Sequence, residues 1–148
     1  MAIRFLSTIV QWKDFSNLAS YPIELCGEVW KSTEHYYQFR KFEGSDPEYA
    51  QRIKEAPTPR DAKILSLQNN NYPDNWDSIK VEVLKEAVRT KFESYPELEK
   101  LLLSTGEEEL IEANPKDYFW GEGKDGSGRN MMGQILMEVR VYLKDKNK

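Results

Sequence analysis

Residues 75–93 read NWDSIKVEVLKEAVRTKFE, and their apolar side chains recur every three or four positions. This spacing is typical of one buried face of an amphipathic helix. We therefore predict a long helix from about Asn75 to Glu93. Its buried stripe would consist of Trp76, Ile79, Val83, Leu84, Ala87, Val88 and Phe92.

Lys80 interrupts this stripe, because it falls near the middle of the arc that holds Trp76, Val83 and Leu84. One interpretation is structural: the amine reaches the surface or forms a salt bridge with Asp77. The other is functional: a partly desolvated amine has a lowered pKa, which suits a nucleophile or a proton-transfer group. Functional residues often break a local pattern in this way.

Further helices are predicted on both sides of this segment from caps and prolines. One runs from Ser32 or Thr33 to about Phe42, one starts at Asp46-Pro47 and one at Thr58-Pro59. Another starts at Ser94 or Tyr95 with Pro96 and ends at Gly106, and the final helix carries Met132, Ile135, Leu136, Val139 and Leu143.

Short extended segments are predicted over residues 3–10, 22–30 and 109–113, the second with a turn at Gly27. Residues 68–75 and 114–130 are predicted as loops. The expected fold class is therefore α+β, helix-rich with a few short strands, in a single domain over residues 1–148.

Composition excludes several classes of protein. The net charge is −4, which argues against broad non-specific DNA binding. No apolar run approaches the length of a membrane span or a signal peptide, so we expect a cytoplasmic protein without membrane contact. One histidine and one cysteine cannot form a structural zinc site, and we expect no metal and no cofactor. A nucleophilic pair of Cys26 and His35 is conceivable, but cysteine is more often a small buried residue.

A second cluster of interest spans residues 30–42. Glu34, Gln38 and Lys41 share one helical face, and His35 lies on the adjacent face with two phenylalanines. By pattern alone this face is solvated, and His35 is a core histidine. The alternative is a binding site with Trp30 as a stacking platform.

A third cluster, residues 117–130, has four glycines in eight residues and a formal G-x-G-x-x-G at Gly121, Gly123 and Gly126. The motif lacks the βαβ context of a dinucleotide-binding fold, which disfavours a dehydrogenase. Two interpretations remain: a glycine-rich turn, or a loop whose amides approach a phosphate or ribose near the next helix N-terminus.

These clusters, in this order, resemble the NADAR family of N-glycosidases over nearly the whole chain. The resemblance is carried by several short elements in sequence. They are Phe15-Ser16-Asn17, Gly27-Glu28-Val29-Trp30, Thr33-Glu34-His35-Tyr36-Tyr37-Gln38, Trp76-Asp77 with Lys80, Asp117, Trp120-Gly121-x-Gly123, Asn130 and Gly133.

The resemblance implies hydrolysis of a ribose C1–N bond to the exocyclic amine of a base. Two substrates are implied: a phosphoribosylaminopyrimidine intermediate of riboflavin synthesis, or ADP-ribosylated guanine in DNA. In the second case the protein would be an antitoxin or repair enzyme, with an ADP-ribosyltransferase toxin as counterpart. The alternatives are a non-catalytic module that binds ADP-ribose and a purely structural or interaction protein.

Two mechanisms fit such a reaction. Glu34 and Asp117 could act as a carboxylate pair, or Lys80 could displace the amine through a Schiff base. We expect Lys80 and Asp117 to carry the chemistry, with Glu34 assisting. Substrate contacts are expected from Ser16, Asn17, Trp30, His35, Gln38, Trp76, Trp120, Gly121, Gly123 and Asn130.

Overall fold

The chain forms six α-helices, one 3₁₀ helix and four short strands, and the computed structural model describes residues 1–148. In chain order these are β1 (Ala2–Phe5), the 3₁₀ helix (Val10–Phe15), β2 (Ile23–Leu25), β3 (Glu28–Trp30), α1 (Thr33–Phe42), α2 (Pro47–Glu55), α3 (Pro59–Leu67), α4 (Trp76–Ser94), α5 (Pro96–Ser104), β4 (Glu109–Glu112) and α6 (Met131–Lys146). The predicted helix-rich α+β class is confirmed.

Contacts within the chain define two compact units. The first comprises Met1–Ser16 and Phe92–Lys148, and the second comprises Asn17–Lys91. The boundary falls inside α4, so a division by contacts does not coincide with the ends of the helices. The single domain predicted over residues 1–148 stays a prediction.

The starts of α1, α2 and α3 confirm the predicted caps. The side chains of Ser32, Asp46 and Thr58 each accept a hydrogen bond from a backbone amide in the first turn. Pro47 and Pro59 occupy the first turns of α2 and α3, where a missing amide hydrogen costs nothing. Local sequence alone therefore sets where these three helices begin.

In the second unit, β2 and β3 form an antiparallel hairpin that pairs Ile23 with Trp30. The two connecting residues, Cys26 and Gly27, have φ of 57° and 77°. A two-residue loop with both φ angles positive matches the twist of the paired strands. The hairpin divides the predicted extended segment 22–30 in two and confirms the turn at Gly27.

The helices of the second unit close over their own apolar cluster. Phe42 of α1, Ile53 of α2 and Ala62 of α3 are each fully buried there. The cluster also holds Ala50 and Ala56, with Phe39, Tyr49 and Leu65 packed against it. This packing fixes the orientation of α1, which carries several of the predicted site residues.

In the first unit, β1 pairs in parallel with β4, with Ile3 opposite Leu110. The predicted extended segment 3–10 is too long, because β4 offers partners only to residues 2–5. The chain then enters the 3₁₀ helix, where Trp12 stacks on Phe15 with ring centroids 5.4 Å apart. Burial of the Phe15 ring therefore replaces strand pairing as the source of stability.

The predicted long helix is confirmed as α4, with one difference in its buried stripe. Trp76, Val83, Leu84, Ala87, Val88 and Phe92 are buried, but Ile79 is 38 % exposed. Ile79 lies at the edge of the apolar arc, so the neighbouring elements do not cover it. None of the helices is both long enough and apolar enough to cross a membrane.

Candidate active site

In the second unit, α1 presents a polar face made of Glu34, Gln38 and Lys41. Glu34 and Gln38 are only 8 % and 7 % exposed, although both are polar. The Gln38 Nε2 donates to Glu34 Oε1 at 2.9 Å, one helical turn apart. Burial of this pair contradicts the solvated face that the pattern alone favours, and it supports the alternative of a binding site.

Lys41 continues the same face and is held by residues from other elements. Its Nζ donates to the Ser66 hydroxyl of α3 at 3.0 Å. The ammonium also lies over the Tyr72 ring, 4.4 Å from its centroid. Cation–π contact and hydrogen bonding together hold the amine in a partly buried position.

The first turns of α4 contribute Trp76, Asp77 and Lys80 to the same unit. Trp76 is 3 % exposed, and its ring lies 5.2 Å from the Tyr37 ring of α1. Lys80 Nζ donates to Asp77 Oδ1 at 3.0 Å, and only 18 % of the Lys80 side chain is exposed. The predicted salt bridge is therefore present, and the lysine is also largely removed from water.

Electrostatics link the two helices. The pKa of Lys41 is lowered, first by burial and then by the positive charge of Lys80. The negative charges of Asp77 and Glu34 oppose this shift. Lys41 is thus close enough to Lys80, Asp77 and Glu34 for their charges to affect its pKa. These four residues and Gln38, which contacts Glu34, are called the α1–α4 cluster below.

Lys41 and Asp77 are not among the site residues predicted from sequence. The signal for Lys41 is its position on the face of Glu34 and Gln38, one further helical turn along. Its contacts with α3 and the 68–75 loop come from residues distant in sequence, so only the tertiary structure reveals them.

Trp30 and His35, two predicted substrate contacts, lie in the interior. Trp30 is 2 % exposed and donates its indole N–H to the Leu25 carbonyl at 2.9 Å. His35 is fully buried, with Nδ1 2.7 Å from the Ser32 hydroxyl and Nε2 2.9 Å from the Ala56 carbonyl. Both ring nitrogens of His35 are occupied by the protein, which matches the structural interpretation.

Ser16 and Asn17 flank the boundary between the units. Ser16 is 5 % exposed, and its amide donates to the Lys13 carbonyl at 3.0 Å. Asn17 Oδ1 accepts from the Thr33 hydroxyl at 2.7 Å, at the start of α1. Asn17 is therefore held beside the helix that carries Glu34.

The remaining predicted residues belong to the first unit, in the loop before α6. Asp117 Oδ1 accepts from the Phe119 amide at 2.9 Å and from the Trp120 amide at 2.8 Å. These bonds form a side-chain turn that shapes the loop. The observed contacts of Asp117 are thus with the backbone.

The glycines of this loop approach protein atoms. A Cβ on Gly121 would lie 3.0 Å from the Asp117 carbonyl oxygen, and one on Gly123 would lie 2.3 Å from the Tyr118 ring. Asn130 Nδ2 donates to the Leu110 carbonyl at 2.9 Å, and its Oδ1 accepts from the Glu112 amide at 2.9 Å. The first unit therefore needs these residues to fold the loop.

The second unit also has an open cleft of about 470 Å³ beside α4. Arg40 and Glu86 line it, and both contact the Tyr36 hydroxyl, at 2.6 Å each. Burial, followed by the bond to Glu86, raises the pKa of Tyr36 above its ordinary value. None of the residues predicted for the site lines this cleft.

Comparison with known proteins gives a consistent result. Residues 4–144 match the NADAR domain. The chain is 40 % identical over 143 residues to the N-glycosidase YbiA of Shigella boydii, covering 95 % of this chain and 88 % of that protein. It is 38 % identical over 152 residues to the riboflavin biosynthesis protein PYRR, chloroplastic, of Zea mays, covering 93 % of this chain and 24 % of the maize protein.

A solved structure agrees with the fold. The NMR structure of the E. coli protein YbiA superimposes with a TM-score of 0.88 at 38 % sequence identity. The match covers 99 % of this chain and 86 % of the E. coli chain. The similarity therefore extends through both units of the chain.

Proposed function

The chain belongs to the NADAR family and is an N-glycosidase, and we propose that it hydrolyses the bond between ribose C1 and an exocyclic amine of a heterocyclic base. The observation that supports this reaction is the α1–α4 cluster. Within it, Lys80 is largely buried and contacts Asp77, while Glu34 is buried beside Gln38. A nucleophilic amine and an acid are the two groups that the Schiff-base route requires.

We infer that Lys80 acts as the nucleophile. The C1–O bond of the ribose ring breaks as the ring oxygen takes up a proton from water, which leaves a C=N bond between C1 and the base nitrogen. The Lys80 amine, after giving its proton to water, adds to C1, and the base leaves as its free amine. A Schiff base between Lys80 and C1 results, and water hydrolyses it to release the sugar and restore the lysine. Asp77, whose Oδ1 lies 3.0 Å from Nζ, holds the Lys80 side chain in position.

Glu34 is the proposed acid for the leaving amine. Expulsion of an amine from C1 needs a proton on the departing nitrogen, and a positioned carboxylic acid supplies it. The bond from Gln38 Nε2 holds the Glu34 carboxyl in one orientation. Orientation of this kind reduces the reorganisation needed during the reaction.

The alternative mechanism pairs Glu34 with Asp117. The contacts of Asp117 favour a structural role, because one carboxylate oxygen accepts two backbone amides of its own loop. The catalytic role of Asp117 stays a prediction, as do substrate contacts from Trp120, Gly121, Gly123 and Asn130. Of the two routes, the Schiff base is the one that the contacts of the second unit support.

A phosphoribosylaminopyrimidine of riboflavin synthesis is the substrate that we propose first. The similarity to a riboflavin biosynthesis protein supports this class, although the chain spans about a quarter of that protein. ADP-ribosylated guanine in DNA is the second candidate, and a toxin counterpart belongs to that case alone. The relatives described above carry enzyme or pathway names, so a non-catalytic ADP-ribose-binding module has no support from them.

A cytoplasmic location accords with these substrates. Cys26 is the single cysteine of the chain, and its thiol is exposed. A free exposed thiol suits a reducing compartment.

The two substrates are distinguished by measuring release of the base from each, side by side. We expect the enzyme to release the base from the phosphoribosylaminopyrimidine and to leave the ADP-ribosylated DNA uncleaved. Release of ADP-ribose from a short DNA that carries ADP-ribosyl-guanine would instead assign the enzyme to nucleic-acid repair. Absence of turnover on both substrates would contradict the proposed reaction.

The substitution Lys80→Ala tests the nucleophile. We expect kcat to fall by about 1,000-fold or more with the fold intact, because no other group forms the covalent intermediate. Borohydride added during turnover should reduce the Schiff base and leave the mass of the sugar on Lys80 of the wild type. Lys85→Ala, on the same helix, serves as the matched control and should keep full activity and labelling. Near-normal turnover in folded Lys80→Ala would exclude this mechanism.

A further inference from the structure

Gln38 carries a buried acceptor that the fold does not use. The residue is 7 % exposed, and the amide oxygen Oε1 has no hydrogen-bond partner. Buried polar atoms in folded proteins nearly always have a partner. An unpartnered acceptor beside a candidate acid therefore indicates a place where a ligand completes the hydrogen bonding.

The orientation of the Gln38 amide is chemically determined. Its Nε2 donates to Glu34 Oε1 at 2.9 Å. Glu34 Oε1 accepts this bond in the carboxylate and also in the carboxylic acid when the proton is on Oε2, so rotation of the amide would oppose two acceptors and lose the bond. Glu34 thus fixes which end of the amide it holds, and the oxygen is left for another donor.

The neighbouring ammonium groups are directed elsewhere. Lys41 Nζ donates to Ser66, on α3, and Lys80 Nζ donates to Asp77, on α4. Neither forms a hydrogen bond with Gln38 Oε1. The buried acceptor therefore has no protein partner, in the part of the second unit where Glu34 is held.

We propose that Gln38 Oε1 accepts an N–H of the leaving exocyclic amine and so determines which bases are released. This role rests on the proposed function, in which Glu34 protonates the same nitrogen. A glycosylated exocyclic amine carries one hydrogen, and Glu34 adds a second as the bond to C1 breaks. The N–H facing Gln38 becomes more acidic as positive charge grows, so this hydrogen bond strengthens in the transition state.

The same geometry predicts substrate selectivity. A leaving group attached through oxygen, or through an amine in which the hydrogen is replaced by methyl, cannot donate to Gln38 Oε1. A site built around a hydrogen bond discriminates strongly against analogues that lack it, because its own polar group is then left unpaired. The enzyme should therefore prefer secondary exocyclic amines to N-methylated ones.

The experiment compares wild type, Gln38→Met and Gln38→Leu on two substrates. The first is the phosphoribosylaminopyrimidine, whose glycosylated exocyclic amine is secondary, and the second is the analogue in which a methyl group replaces the hydrogen of that amine. On the secondary amine, kcat in Gln38→Met should fall by about 100-fold with KM changed little, as when one transition-state hydrogen bond is removed. On the N-methyl analogue, wild type and variant should differ by less than about threefold, because the interaction is already absent. The second variant, Gln38→Leu, gives an independent measurement if Gln38→Met folds poorly.

Gln51→Met is the matched control. Gln51 also donates through Nε2 to a glutamate one turn away, Glu55, at 3.0 Å, but on the exposed face of α2. It should keep wild-type kcat on both substrates. Equal losses on both substrates in the Gln38 variants, or a change confined to KM, would overturn the proposed role and leave the N-glycosidase reaction standing. A wild type that turns over neither substrate would overturn the proposed function itself, and this role with it.

Discussion

Neighbouring side chains in α1 make different kinds of contact. Glu34 and His35 are adjacent in sequence and both are buried. The two ring nitrogens of His35 are engaged by Ser32 and Ala56, so this residue ties the start of α1 to the end of α2. Glu34 contacts Gln38, whose oxygen has no partner within the protein. The contacts that each side chain makes, and not the residue type, separate a structural residue from a candidate for catalysis.

Protonation of His35 should destabilise the fold in mild acid. Burial lowers the pKa of His35 below its ordinary value of 6.5, while the bond to the Ala56 carbonyl opposes the shift. The unfolded chain therefore binds a proton at higher pH than the folded chain. The contribution of neutral His35 to stability is complete above pH 6.5 and is lost as the pH falls below that value.

Urea unfolding between pH 5 and pH 8 (about the range in which a histidine titrates) checks this. The free energy of unfolding should fall with decreasing pH, by at most about 1.4 kcal/mol per pH unit for one proton. Because the chain has a single histidine, His35→Gln removes the only histidine titration and should flatten the dependence. If the free energy of unfolding of His35→Gln depends on pH as steeply as that of the wild type, the loss of stability in acid is due to carboxylates and not to His35.

At the scale of elements, the position where a helix starts depends on the local sequence, whereas the way a helix packs depends on residues far away in the chain. The caps of α1, α2 and α3 were predictable because each bond joins residues three apart. The packing of α6 on β4 depends instead on Gly133. A Cβ on Gly133 would lie 2.0 Å from the Leu110 carbonyl oxygen of β4. The helix approaches the strand this closely only because residue 133 has no side chain.

Gly133→Ala should therefore destabilise the first unit. The added methyl must displace backbone, and the expected loss is about 3 kcal/mol of unfolding free energy. Gly44→Ala is the control, because a Cβ at Gly44 meets nothing within 4 Å, and it should change stability by less than about 0.5 kcal/mol. Chemical denaturation of both variants gives the comparison. Equal stabilities would show that α6 can move away from β4 without cost.

For the molecule as a whole, charge constrains the class of ligand. The chain carries 21 basic and 25 acidic residues and has an isoelectric point near 5.2. Binding to the DNA backbone derives most of its free energy from release of counterions by basic side chains. A protein with a net charge of −4 gains little from this effect, although a few local groups can still hold one phosphate.

We expect unmodified duplex DNA to bind this protein weakly, with a Kd above about 10⁻⁴ M at physiological salt. Fluorescence anisotropy with labelled DNA at two salt concentrations provides the measurement. Turnover of the phosphoribosylaminopyrimidine should meanwhile depend little on salt, since one phosphate is involved. Micromolar DNA binding with a steep salt dependence would contradict this expectation and favour the nucleic-acid substrate.

The amino-acid sequence by itself determined the helix-rich class, the starts of α1, α2 and α3, the hairpin turn at Gly27 and the long helix α4. These features depend on periodicity, caps and turn residues, which act over a few neighbouring positions. Only the tertiary structure decided that Glu34 and Gln38 are buried and that the charge of Lys80 lowers the pKa of Lys41. It also decided that Gly121 and Gly123 lie against atoms of their own loop. These outcomes depend on contacts between residues far apart in the chain, and local spacing cannot specify what covers a given face.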